Sequence, residues 1–349
     1  MTNTDSIKPL AEDAVSVIEK VSFLKQPEAY PHAGAKVETK ETHMSWIFLT
    51  DNTVYKLKKP VVFPFLDFRT LEARLKNCRE ELRLNKRLAT GIYIGVVPLV
   101  LNEEGKLQLE GKGQIVDWLV KMKRIPEENL LDYAIKHKQV GETLIKKAAE
   151  VLVRFYRAAP PVQIDPDLYK KKLKDEIIST HTELLLPQFY FPVVLIEQIS
   201  NNLVQFLRDH SVLFEERIVN GKIIEGHGDL KPEHICLLPD PAFIDALEFN
   251  WDLRIMDIAE ELSFLDMECE MMGDLTTGKL FFDYYQKLSG DAVPEPLTFF
   301  YKAKKAFTRT YLVARHIIEP DYKDEPKWLN KANAYLQLAK KYNAAVLLK

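Results

Sequence analysis

His227-Gly228-Asp229-Leu230-Lys231-Pro232-Glu233-His234-Ile235, followed by the apolar run Ile235-Cys236-Leu237-Leu238 and then by Phe243-Ile244-Asp245, decides how this chain is read. One acid sits in a short polar loop between apolar strands, and a second closes the next strand. Phosphoryl transfer needs that division of labour: one carboxylate accepts the proton of an attacking hydroxyl, and another holds the metal that neutralises the phosphates. A His-Gly-Asp tripeptide is a weak signal alone, since Asp229 could simply cap a turn. Its place after a helical segment and before two apolar runs gives it weight.

Outward from this stretch, the chain has 349 residues, a hydrophobic fraction of 46% and a formal net charge of −3. That is ordinary for a globular protein with room for two lobes, and it points to neither nucleic acid nor a membrane as partner. Basic residues cluster only at Lys56, Lys58 and Lys59 and at Lys170 to Lys174, the second run reading as a solvated helix face. Cys78, Cys236 and Cys269 form no CxxC pair, which suits reduced, buried thiols. Met1 to Leu10 has no apolar core of a leader and no membrane-length apolar run follows, so a cytoplasmic location is expected.

Trp46-Ile47-Phe48-Leu49, the polar break Asp51-Asn52 and Val54-Tyr55-Lys56-Leu57 predict a β-hairpin. From Thr70 to about Ala89, Leu71, Leu75, Cys78, Leu82 and Leu88 recur at helical spacing. Two further strands are expected at 96–101 and 114–122. After Pro126 the pattern turns helical, at 130–137, 142–158, 170–184 and 192–210, then 255–271, 276–288, 294–318 and 327–345, with loops and strands at 218–249. The expected class is α+β: a β-rich N-terminal lobe with one long helix, residues 1–125, and a larger, mainly helical lobe, 126–349. No GxxxxGK[ST] phosphate loop occurs.

The strand lysine, helix glutamate, His-Gly-Asp loop and later Ile-Asp together resemble the aminoglycoside phosphotransferase-like branch of the protein-kinase-like superfamily. Glu41-Thr42-His43-Met44-Ser45-Trp46, Tyr55-Lys56-Leu57-Lys58-Lys59-Pro60 and Glu81-Leu82-Arg83-Leu84-Asn85 are more closely similar to an uncharacterised bacterial group within it, some members of which carry an added C-terminal P-loop kinase domain. The resemblance runs from about residue 20 onward and implies a bilobal kinase fold, ATP with Mg²⁺ as cofactors, and a small-molecule hydroxyl acceptor such as a sugar, an aminoglycoside or another metabolite. It makes Asp229 the general base, His227 a brace of its loop and Asp245 the metal ligand. Lys56 becomes the phosphate-clamping lysine, with Lys58 its rival on the same face, and Glu81 the acid that orients it. Ser45 stands in a nucleotide loop without glycine, and Met122 at the hinge against adenine. Asp257 is expected to cap the catalytic loop from below, and Glu248 to supplement the metal or substrate contacts. Each has a plainer reading as a core residue, strand end or exposed helix charge.

His234 departs from the pattern, because kinases place a metal-binding Asn there. An imidazole nitrogen is a poor ligand for Mg²⁺, so His234 as metal-site residue implies a single metal, a preference for Mn²⁺, or a nucleotide-binding pseudokinase that acts through a protein partner. For the acceptor, Lys302, Lys305 and Arg309 recur on one late helix, read as a solvated basic face with an anionic acceptor as the alternative. Asp266, Glu268, Glu270 and Asp274 are the acids a polycationic aminoglycoside would require.

Overall fold

A computed structural model describes residues 15–31, 36–63, 66–318 and 325–347; the stretch Met1–Leu10 considered above lies outside them. The chain separates into two compact units. One contains the residues up to Pro126 together with Glu248–Asn250, and the other contains Glu127–Leu247 and Trp251–Lys349.

The first unit is built on an antiparallel sheet of strands β1 (Glu38–Glu41), β2 (Ser45–Leu49), β3 (Thr53–Lys58), β6 (Tyr93–Leu101), β7 (Leu107–Leu109) and β8 (Gln114–Lys123), in the spatial order β1-β2-β3-β8-β6-β7; β4 (Val62–Phe63) and β5 (Leu66–Asp67) form a separate ribbon. The hairpin expected from Trp46 and Val54 is β2-β3, in register with Lys56 opposite Ile47 and Lys58 opposite Ser45. Helix α1 (Val17–Leu24), the first strand and β7 were not anticipated, being short and without clear periodicity. The long helix α2 (Leu71–Asn85) starts where the Thr70 side chain accepts the Ala73 N–H, an N-cap of the usual kind. Phe48, Tyr55, Leu57, Leu99 and Leu119 fill the core beside Leu24 and Tyr30.

Buried charge also shapes this unit. Asp117 on β8 accepts from Arg74 Nε of α2 at 2.8 Å and from Lys20 Nζ of α1 at 3.0 Å, and all three residues are buried. One carboxylate thus ties both helices to the sheet. Removing one partner of a buried ionic group typically costs about 3–5 kcal/mol, because it strands the charge left behind. Asp117→Ala is therefore expected to lower the unfolding free energy by about that amount in urea titrations, whereas Glu104→Ala, in an exposed pair with Lys106, is expected to change it by less than about 1 kcal/mol.

The second unit is mainly helical: α3 (Leu131–Lys136), α4 (Glu142–Ala158), α5 (Pro166–Leu184), α6 (Val193–Asp209), α7 (Ser211–Val219), α8 (Ile258–Met271), α9 (Thr277–Ser289), α10 (Glu295–Ala314) and α11 (Glu325–Leu347). Its two short strand pairings join β9 (Ile223–Glu225) to β12 (Ile255–Asp257), and β10 (Ile235–Cys236) to β11 (Ala242–Phe243). Two expectations are corrected. Residues 211–219 form a helix, whose last two residues fall in the stretch 218–249 expected as loop and strand, with Phe214 buried against Phe206 and Phe300. The helix expected from residue 255 begins at Ile258, because Ile255–Asp257 pairs as a strand with β9 and the Asp257 side chain accepts the Ala259 N–H. The three cysteines are free and buried.

Candidate functional site

In the first unit, β3 projects Lys56 and Lys58 to the same side, since alternate residues of a strand share a face. Both reach Glu81 of α2, which is fully buried: Lys56 Nζ lies 3.0 Å from Oε1, and Lys58 bonds Oε2. Lys58 also bonds Glu248, the chain segment that belongs to this unit. Burial opposes the charge on Lys58, but Glu248 and Glu81 outweigh it and raise its pKa above the ordinary lysine value. The two lysines differ in access, as the Lys58 side chain is 0% exposed and that of Lys56 11%. Ser45 is buried, and its Oγ has no hydrogen-bond partner, while its backbone N–H donates to Thr42 Oγ1. Met122, near the end of β8, is buried in register with Val54 and Tyr93.

In the second unit, the His227–Asp229 loop is fastened from below by Glu261 of α8. Its Oε1 accepts the N–H groups of His227 at 2.6 Å and Gly228 at 2.8 Å, and its Oε2 accepts the Tyr156 hydroxyl at 2.9 Å. Asp257, expected in that place, instead caps α8 and pairs with Arg217 and Tyr301. Gly228 has φ +86, and a Cβ there would meet Leu247 Cβ at 2.9 Å, so both its conformation and its surroundings require glycine.

His227 is buried completely. The Asp229 N–H points at its Nδ1, 3.4 Å away, which leaves Nε2 to carry the proton donated to the Ile244 carbonyl at 2.9 Å. A second thread runs from the Leu247 N–H to the His227 carbonyl. The imidazole therefore links the loop of Asp229 to the segment bearing Asp245.

His234 lies between the two acids. Its Nδ1 donates to the Asp229 carbonyl at 2.9 Å, and its Nε2 stands 3.5 Å from Asp245 Oδ2. In the neutral ring protonated on Nδ1, Nε2 presents a lone pair toward the Asp245 carboxylate. Asp245 has φ +60, a costly left-handed conformation for a residue with a side chain, and its side chain is 44% exposed. Asp229 Oδ2 is 3.0 Å from Lys231 Nζ. Burial raises the Asp229 pKa, but Lys231, His234 and Arg309 prevail and draw it down to about 2. Lys231 and Glu261 were not singled out in the sequence. A lysine two residues after an acid was a legible signal, whereas Glu261 is one acid among several on its helix.

Asp229 and Gly228 line a cavity of about 490 Å³ that also receives Lys305 and Arg309. Lys302, read with them from the sequence as a solvated basic face, is instead buried and turns to Asp266. The four acids considered for a polycationic acceptor are engaged elsewhere: Asp266 with Lys302, Glu268 with Tyr335, Glu270 with Lys341 and Tyr342, and Asp274 with Thr276 and Thr277.

No protein-family model matches the chain. Uncharacterised proteins of Mycobacterium tuberculosis and Mycobacterium bovis are each 30% identical to it over 281 residues, covering 78% of this chain and 54% of theirs, so the chain spans about half the length of the curated relatives it matches. Among solved structures, a choline/ethanolamine kinase family protein from Mesorhizobium loti aligns with TM-score 0.52 at 12% identity, covering 95% of this chain and 99% of that one. A choline kinase from Cryptosporidium parvum aligns with TM-score 0.53 at 11% identity, covering 92% and 95%. The α+β fold is thus protein-kinase-like. No helix among the described residues is long and apolar enough to cross a membrane.

His227 provides a test of this packing that does not depend on catalysis. Burial, then the neighbouring His234, lower its pKa from 6.5 to about 4. Because the unfolded chain takes up the proton more readily, the neutral imidazole contributes its full stability above about pH 6.5, and this is lost as pH falls toward about 4. The wild type should lose on the order of 3 kcal/mol across that interval from this group. His227→Gln should flatten the fall in urea midpoint between pH 7 and pH 4; an unchanged slope would place the imidazole in solvent.

Proposed function

We propose that the chain is an ATP-dependent phosphotransferase that moves the γ-phosphate to a hydroxyl of a small molecule. The observation that carries this reading is the convergence of Asp229 and Asp245 on the single imidazole of His234, with Asp229 open to a cavity. Asp229 is ionised throughout the physiological range, as a residue that orients an acceptor hydroxyl and receives its proton must be. A base with so low a pKa accepts the proton late, which suits a loose phosphoryl transition state. Lys231, 3.0 Å from Asp229, would hold that carboxylate in place.

The residues fit a nucleotide-bound metal better than a freestanding one. Among the described residues, no group of three or more His, Cys, Asp or Glu side chains could hold an ion. Mg²⁺ bound through one carboxylate and substrate phosphates does not need such a cage, and Asp245 offers an exposed carboxylate for it. The lone pair of His234 Nε2 beside that carboxylate favours Mn²⁺ as the better ion. When bound, the ion neutralises charge on the β- and γ-phosphates. In the first unit, Lys56 is the better candidate for a phosphate contact. Lys58 is closed off between two carboxylates, and its role would be to hold Glu81 in position. Ser45 Oγ, buried without a partner, and Met122 remain candidates for the nucleotide's phosphate and adenine contacts. His234 also supports a second reading, a nucleotide-binding pseudokinase working through a protein partner, since its ring stands between both acids.

Two measurements separate these readings. Label from γ-phosphate-labelled ATP, supplied with a panel of hydroxyl metabolites, should reach product in the wild type and fall by about 10²–10⁴-fold in Asp229→Asn, with nucleotide binding retained. Nucleotide binding with no turnover by wild-type protein in either metal would favour the pseudokinase. In the same assay, His234→Asn should raise the Mg²⁺ rate relative to the Mn²⁺ rate; an unchanged ratio would remove His234 from the metal's surroundings.

A further inference from the structure

The cavity beside Asp229 is a mixed surface whose charge has a sign. Its body is apolar, with Leu247, Leu253, Ile255, Phe264 and Leu312 in the wall. The charged part is contributed by α10, through Lys304, Lys305 and Arg309, and by Lys172 and two acids of α5, with Glu260 of α8 beneath. By count, four cations and four carboxylates line it. Of those carboxylates, Asp175 pairs outward with Lys171 in an exposed bridge, and Asp229 is held by Lys231, which is not in the wall, while also interacting with Arg309.

Glu176 and Glu260 are the carboxylates that pair with the lysines of the wall. Glu260 is shared, since Lys304 and Lys305 both lie 3.0 Å from its Oε1, and Lys304 also bonds Glu176. Lys172 has Glu176 only at 3.9 Å and donates instead to the backbone carbonyls of Asp252 and Ile255. Burial accordingly lowers the pKa of Lys172, against the pull of Glu176. Behind Arg309, Glu268 stands 3.2 Å from Nε, yet that nitrogen makes no well-formed hydrogen bond. The four wall cations therefore face Glu176 and Glu260, with Asp229 shared between Lys231 and Arg309 and Glu268 behind Arg309. Lys305 and Arg309 keep side-chain exposures of 18% and 21%, and so have room for another acceptor of hydrogen bonds.

From this geometry, and resting on the phosphotransferase reading, we infer that the acceptor is a hydroxyl compound with an apolar body and an acid group, a carboxylate or phosphate, which Lys305 and Arg309 take up while the hydroxyl is presented to Asp229. An ammonium at that end would meet like charge and leave the basic wall unsatisfied. A neutral end would forfeit charge-assisted hydrogen bonds.

A matched series tests the inference: 6-hydroxyhexanoate, 1,6-hexanediol, 6-amino-1-hexanol and the monophosphate of 1,6-hexanediol, which share one six-carbon chain and one terminal hydroxyl. Titration calorimetry on the full chain, without nucleotide, should show the two acid-bearing compounds binding about ten-fold or more tightly than the diol, and the amine weakest. The comparison between carboxylate and phosphate identifies which acid group is taken. Lys305→Gln should abolish the preference for acid over diol, and Lys305→Arg should retain it; this side chain is partly exposed, so neither change threatens folding. Diol or amine binding as tightly as the acids, a preference that survives in Lys305→Gln, or no detectable binding of either acid would overturn the inference. Preferential acid binding without phosphate transfer in Mg²⁺ or Mn²⁺ would uphold the ligand class and refute the phosphotransferase reading, so the two failures are distinguishable.

Discussion

The carboxylate of Glu261 beneath the His227–Asp229 loop is the interaction on which the arrangement of the second unit rests. One oxygen accepts two successive backbone N–H groups, and the other holds a buried tyrosine hydroxyl. Without that acceptor, both N–H groups would be left unsatisfied beside a loop whose glycine already has positive φ. With it, His227 is buried in one orientation and its ring reaches the Ile244 carbonyl. Fixing His227 fixes the spacing of two loops, and so the spacing of Asp229 and Asp245 about His234. The proposed chemistry depends on a carboxylate that touches neither reacting acid.

Charge is handled differently in the two units. In the first, buried cations are distributed over shared acids: Lys20 and Arg74 on Asp117, and Lys56 and Lys58 on Glu81, with Glu248 as a further partner of Lys58. Such pairs fix helix against sheet more than they add net stability, since desolvation offsets much of their attraction. In the second unit, at the cavity, Lys304 and Lys305 share Glu260, and Lys172 donates chiefly to backbone carbonyls.

Much of this was legible in the sequence, for identifiable reasons. The hairpin around Asp51-Asn52, the long helix containing Glu81 and the helices after Pro126 announce themselves by period and by breakers. The acids of the loop stand out because Gly228 and apolar runs frame them. What was not legible depended on tertiary contacts. Ile255–Asp257 is apolar enough for the helix it precedes, and only pairing with Ile223–Glu225 makes it a strand. Lys302, Lys305 and Arg309 share helical spacing, yet Asp266 draws Lys302 aside and the cavity takes the others along with Lys304. The family resemblance placed Asp257 under the loop, whereas Glu261, one turn further along α8, performs that task.

The central claim is that His234 presents an unprotonated Nε2 beside Asp245, where a nucleotide-bound metal would lie. Imidazole ¹⁵N spectra of histidine-labelled protein, recorded with Mg²⁺ and ATP and then with traces of Mn²⁺ added, test it most directly. The account predicts His227 as the Nε2–H form and His234 as the Nδ1–H form, with Mn²⁺ broadening His234 first and only when ATP is present. A His234 carrying its proton on Nε2 alone, or broadening that reaches other histidines before His234, would contradict it.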